Sequence, residues 1–131
     1  MGVSPVRLLP LVETAKMQEA VLTLFCDSIP SADVLALVPP QVEITSLGTL
    51  KENLDWPDYL AADVKHKDLD RLLNLFGPSH LSFTGEVLVR MRMPCHGVAE
   101  CGVCSVKTKS GWQLACVDGP VFPLKELRCV A

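Results

Sequence analysis

The spacing of apolar and polar positions changes character near residue 77. Before it, segments of helical period alternate with short apolar runs. In SPVRLLPLVETAKMQEA (4–20), Val6, Leu9 and Val12 fall on one helical face, with Ser4 placed to cap the helix and Pro5 at its first position. AVLTLF (20–25) is a β-rich run followed by Asp27, Ser28 and Pro30, the pattern of a buried strand and its exit turn. Ser31 caps a short helix reaching Leu37, Pro39 and Pro40 end it, and VEIT (42–45) is a second strand. A helical turn around 50–54 is closed by Pro57, and DYLAADV (58–64) is the third strand. KDLDRLLNLFG (67–77) then sets Leu69, Leu72, Leu73 and Phe76 at i, i+3, i+4 and i+7, with Gly77 as the stop.

Strands alternating with helices predict an α/β fold: a small parallel sheet of three or four strands, covered by helices. Beyond residues 77–80 the pattern shortens. EVLVRM (86–91), SVKT (105–108) and WQLACV (112–117) are short strands punctuated by Gly97, Gly102, Gly111 and Gly119. Two units are therefore expected, an α/β domain over 1–77 and a small β-rich module over 78–131 built around cysteines.

Composition narrows the function. With 131 residues, 49% hydrophobic and 21% charged, the chain is sized for an ordinary core, and aromatics at 5% leave Leu, Val and Ala to fill it. A net charge of -3 and a pI near 5.5 argue against nucleic acid as a partner. The apolar runs fall far short of the roughly 20 residues that span a bilayer, so no membrane insertion is expected. The N-terminus shows no basic region followed by an apolar stretch, which makes the cytoplasm the expected location. In that reducing compartment clustered thiols are metal ligands or catalytic groups before they are disulfides.

Four of the six cysteines, Cys95, Cys101, Cys104 and Cys116, have the spacing C-x5-C-x2-C-x11-C. A structural zinc site usually draws two C-x2-C knuckles from separate hairpins, and one knuckle is present here. A 2Fe-2S cluster instead takes most of its ligands from one loop and one from a distant position, as in the C-x4-C-x2-C…C pattern. The chain follows that asymmetry with one extra residue in the first gap. Gly97, Val98, Ala99, Gly102 and Val103 are small or apolar, so backbone amides can approach inorganic sulfide. The 2Fe-2S cluster is the leading reading and a zinc-stabilised interaction module the alternative.

Other residues carry less. Rieske centres place two histidines on one iron, and His96 lacks a second histidine at that spacing; His66 and His80 are isolated. Cys26 ends a buried strand, and Cys129 has no partner at ligand spacing. Met91 and Met93 are expected to pack beside the site. Arg90, Arg92, Lys107 and Lys109 read as a solvated face rather than a docking rim. No G-x-S-x-G, Walker loop or H-E-x-x-H occurs.

CHGVAECGVCSVKTKSGWQLACVDGPVF (95–122) resembles the C-terminal cluster domain of the electron-transfer subunit of dihydroorotate dehydrogenase B and of related hydrogenase and sulfhydrogenase gamma subunits. That family shows a C-G-x-G-x-C-x-x-C loop, a last cysteine and D-G-P-V-F; Cys116, Asp118, Gly119, Pro120, Val121 and Phe122 match the ending, while His96 and Gly97 stand where the family has one glycine. Upstream, GVSPVRLLPLVETA (2–15) is similar to the helix after the first strand of the family's NAD-binding domain. Residues 58–77 resemble its final strand and helix, with Ala62, Asp63 and Val64 in place of C-G-P.

The resemblance implies a partial, Rossmann-like α/β part followed by a 2Fe-2S module. It implies electron transfer between a flavin or nicotinamide reductase partner and a catalytic, dihydroorotate dehydrogenase-like subunit. No R-x-Y-[ST] flavin signature is present and the Gly-rich turn is largely missing, so FAD and NAD are not expected on this chain alone. A fragment of a complete FAD/NAD-dependent oxidoreductase subunit is a further alternative.

Overall fold

The computed structural model describes residues 5–77 and 81–130; the expected Ser4 cap and His80 lie outside them. Ahead of the first βαβ unit, a 3-10 turn, Val6–Leu8, continues into helix α1, Leu9–Met17. Pro10 lies in the first turn of α1, where its missing amide costs nothing. The tighter 3-10 turn rotates Val6 off the expected face, so Val6 is exposed while Val12 is buried. Strands β1 (Thr23–Cys26) and β2 (Glu43–Ser46) pair in parallel, with α2 (Ala32–Leu35) crossing between them. Val12, Leu24, Val38 and Val42 form a small core of their own under α1.

A second βαβ unit follows the 3-10 helix Leu47–Asn53. Strand β3 (Tyr59–Lys65), helix α3 (Leu69–Phe76) and strand β4 (Thr84–Arg90) form it, and β3 and β4 pair in parallel over seven residues each. The i, i+3, i+7 stripe of α3 is buried at Leu69, Leu72 and Phe76, and Phe76 meets Phe83 edge to face with ring centroids 6.3 Å apart.

The single parallel sheet of three or four strands is corrected to two separate parallel pairs, β1–β2 and β3–β4. Apolar periodicity marks a strand but not its neighbour. Here the two seven-residue strands make the long ladder, and the four-residue strands pack on their own small core.

Beyond β4 the chain forms an antiparallel hairpin, β5 (Ser105–Thr108) and β6 (Gly111–Leu114), and then β7 (Val121–Pro123), which pairs antiparallel with β4. The two-residue turn at 109–110 leaves Gly111 at φ 117°, a conformation glycine adopts freely. WQLACV thus stops being a strand after Leu114, because 115–118 turn back on themselves. The C-terminal segment lies along β5: Lys109 N–H donates to Glu126 O at 2.8 Å and Arg128 N–H to Lys107 O at 3.0 Å.

The main core runs without interruption from Val64, Val87 and Val89 of β3 and β4 to Val106, Ala115, Phe122, Leu124 and Leu127. Full burial of each such side chain is worth about 1.5–3 kcal/mol over exposure. Cys104 belongs to this core.

Candidate metal centre

The site is built at the point where β4 leaves the sheet. Its last residue, Arg90, donates from Nε to the Asp63 carboxylate on β3, whose side chain is only 4% exposed; Arg7 approaches the second oxygen at 3.9 Å. The carboxylate that replaces the resembled family's C-G-P therefore points inward and ties the two long strands together. After Arg90, Met91 and Met93 pack on the main core while Arg92 is exposed, which fixes the path into Cys95. Of the four cations at this end, Arg90 is committed to Asp63 and Lys109 to Glu126 at 3.7 Å.

From Pro94 the loop makes two successive turns, with His96 N–H on Met93 O at 2.9 Å and Val98 N–H on Cys95 O at 3.2 Å. His96 (φ 51°) and Ala99 (φ 62°) adopt left-handed backbone that is uncommon outside glycine, as does Gly97 between them. Consecutive amides in such turns converge on one point and make a concavity for negative charge. The amides of Gly97, Cys101 and Glu100 lie where they favour a charged Cys95 sulfur, and that of Ala99 favours a charged Cys116. The longer first gap is taken up in this double turn, with the His96 side chain exposed.

Cys104 stands at the entry to β5 with its side chain in the core. Ala115 N–H donates to Cys104 O at 3.0 Å, which extends the hairpin ladder by one pair and delivers Cys116 beside it. The Cys104 and Cys116 sulfurs are 3.3 Å apart. Cys101 lies near enough to Cys95 to act on it, and it is the first cause, ahead of the loop amides, that lowers the Cys95 thiol to about 6. The Cys116 thiol is pushed up, first by its bond to Cys104, then by burial and by the charges of Cys104 and Cys95. Cys104 and Cys116 are thus in contact, while Cys95 and Cys101 lie in one loop and influence each other electrostatically. Among the described residues, no three His, Cys, Asp or Glu donors are grouped as one metal ion would need.

Cys26 and Cys129 lie elsewhere. Cys26 packs with the small N-terminal core, and burial raises its thiol. Cys129 contacts Asn74 Oδ1 at 3.6 Å, and burial followed by the charge of Asp70 raises it.

The turn behind Cys116 shows what DGPVF does physically. The Asp118 carboxylate accepts from Leu114 N–H at 2.9 Å and the Asp118 amide donates to Leu114 O at 2.7 Å, closing the turn. A Cβ on Gly119 would meet the Phe122 ring at 2.6 Å. Phe122, 2% exposed, locks β7 onto β4 opposite Val87.

Residues 91–128 match the family described as the iron-sulfur cluster binding domain of dihydroorotate dehydrogenase B. A 36-residue stretch is 47% identical to the sulfhydrogenase 1 subunit gamma of Pyrococcus furiosus, an alignment spanning 28% of this chain and 12% of that relative. The C-terminal part is thus similar to the iron-sulfur domain of such subunits, as its motifs imply, and this supports an iron-sulfur electron-transfer role. No helix among the described residues is long and apolar enough to cross a membrane. A set of four thiols with amides turned inward suits a negatively charged, thiolate-ligated iron-sulfur group.

Proposed function

We propose that this chain carries one 2Fe-2S cluster on Cys95, Cys101, Cys104 and Cys116. It passes single electrons between a flavin or nicotinamide reductase partner and a catalytic, dihydroorotate dehydrogenase-like subunit. The observation that supports this most directly is the contact of Cys104 with Cys116 on the hairpin, with Cys95 and Cys101 on the loop that leads into it and the Cys95 charge felt at Cys116. Two iron atoms with two thiolates each ask for such a pairing, Cys95 with Cys101 and Cys104 with Cys116. When bound, the cluster supplies a reversible one-electron change.

The chain's own residues place, shield and present the site. Cys104 is anchored in the core, so one ligand is fixed by packing rather than by the loop. The amides of Gly97, Glu100 and Cys101 offset negative charge at Cys95. Val98, Val103 and Val117, each more than half exposed, surround the ligands with an apolar rim suited to contact with a partner subunit. We assign the cluster to 78–131, joined through the β3–β4 ladder to a NAD-binding-like part over 1–77 that holds neither FAD nor NAD by itself. A cytoplasmic location accords with free thiols at all four positions.

Anaerobic purification tests the reading. The expected product is brown and holds about two irons and two sulfides per chain. A colourless protein with one zinc would overturn it.

A further inference from the structure

The two thiol pairs are held differently. Cys101 is exposed in a loop without a ladder, whereas Cys104 and Cys116 flank the open end of the β5–β6 ladder, next to the Ser105–Leu114 register pair. The Ala115 to Cys104 backbone bond at 3.0 Å clamps the two strands at that point, with the sulfurs 3.3 Å apart. A disulfide needs about 2.05 Å between sulfurs, so closure asks for a sulfur displacement of a little over an ångström, within reach of side-chain rotation.

We propose that Cys104 and Cys116 are a thiol–disulfide exchange site in the metal-free protein, whose oxidation closes the site to iron until a thiol reductant reopens it. The disulfide stands on the hairpin geometry; its effect on loading rests on the ligand assignment above.

The order of steps follows from exposure. Cys104 is 1% exposed and Cys116 is half-buried, so an external reagent meets Cys116 first. The deprotonated Cys116 sulfur attacks one sulfur of a low-molecular-weight disulfide, such as oxidised glutathione, and expels the first thiolate. Cys104, losing its proton, then attacks the Cys116 sulfur of the mixed disulfide and expels the second. Two electrons pass from the protein sulfurs to the reagent, and the two protons end on the two small thiols. The product is an apolar bridge that fits the core around Val106, Ala115 and Phe122, and it removes half of the ligand set. The Cys95–Cys101 pair has no ladder to hold its partners, and the peptide map reads the Cys104–Cys116 bridge separately from it.

The full chain is prepared metal-free, incubated with oxidised glutathione, alkylated and digested with trypsin, which cuts after Lys107 and Lys109 and so separates Cys104 from Cys116. At least two of the six thiols, Cys104 and Cys116, should resist alkylation. The cross-linked peptide should persist in Cys95→Ser and in Cys101→Ser and vanish in Cys104→Ser. Cys116→Ser, at a half-buried position at the edge of the core, should give the same loss. Six reactive thiols in the wild type, or a cross-link that survives in Cys116→Ser, overturns the proposal.

Oxidised protein offered ferrous iron and sulfide should stay colourless until a dithiol is added; equal loading before and after the dithiol overturns the gate. Reduced protein that never colours tells against the cluster assignment instead, and the cross-link map then decides the disulfide on its own.

Discussion

The two cores of this molecule support different things. The small one, Val12, Leu24, Val38 and Val42 beneath α1, holds the β1–β2 pair and touches none of the four gathered thiols. The main one threads α3, β3, β4 and β7 and ends on Cys104 itself. The surface over the small core is loosely finished, with Met17, Val21 and Ile29 each more than four-fifths exposed. On the proposed assignment Cys104 would be both ligand and core residue and would couple cluster loading to folding, whereas a thiol beside the small core is only a small hydrophobe. The largest expected contrast follows. Cys101→Ser should abolish the visible absorption of the anaerobically purified protein, and Cys26→Ser should keep it in full; matching spectra would remove the ligand assignment.

Packing gives the next contrast. Phe122→Ala empties a fully enclosed aromatic site in the main core and should cost about 3–5 kcal/mol, with visible and far-ultraviolet signals lost together in denaturant. Leu24→Ala should cost about 2–5 kcal/mol in the small core, and there the far-ultraviolet signal should begin to fall before the visible band. If the two signals coincide in both variants, the cores are one cooperative unit.

The same division explains what could be read from the sequence. Cys95, Cys101, Cys104 and Cys116 stood out because few arrangements of four thiols satisfy a metal, and spacing alone carries that constraint. The α3 stripe and the three N-terminal strands were visible to within a residue or two at most ends, because burial imposes a period. Strand partners were not visible: nothing in VEIT or DYLAADV says that the first pairs only with β1 and the second with β4. Nor did a single Asp in an apolar strand announce Arg90 as its partner, 27 positions along the chain. Such pairings depend on register between distant segments, which a local pattern does not encode.

Backbone contact against the core gives a smaller effect. Gly119→Ala would force its Cβ into the Phe122 ring at 2.6 Å and against Ala115 Cα at 3.1 Å. The ring is enclosed and cannot swing aside, so the strain should appear as about 1–3 kcal/mol of lost stability in denaturant melts. Since Ala115 precedes Cys116, cluster release to a chelator should also quicken. An unchanged midpoint would show that the turn behind Cys116 yields more readily than its packing implies.

The smallest effect lies at the far end of the β3–β4 ladder, away from the thiols. Tyr59 donates to Glu86 Oε2 at 2.6 Å from a half-exposed position, and this bond, then burial and the carboxylate's charge, push the phenol up to about 12. A folded-state value above the unfolded one of about 10 means that the contribution is complete below pH 10 and is lost as pH rises through 12. Exposure and screening hold it under about 1 kcal/mol. The chain has one tyrosine, so tyrosinate absorbance reports this site alone. Glu86→Gln should bring the midpoint down toward the ordinary value while leaving the visible band untouched, because the ladder is anchored at its other end by Asp63 and Arg90. A midpoint that is ordinary in the wild type and unmoved by Glu86→Gln would mean that the two strands meet without this bond. The register of β3 on β4 would then rest on Asp63, Arg90 and the buried valines alone.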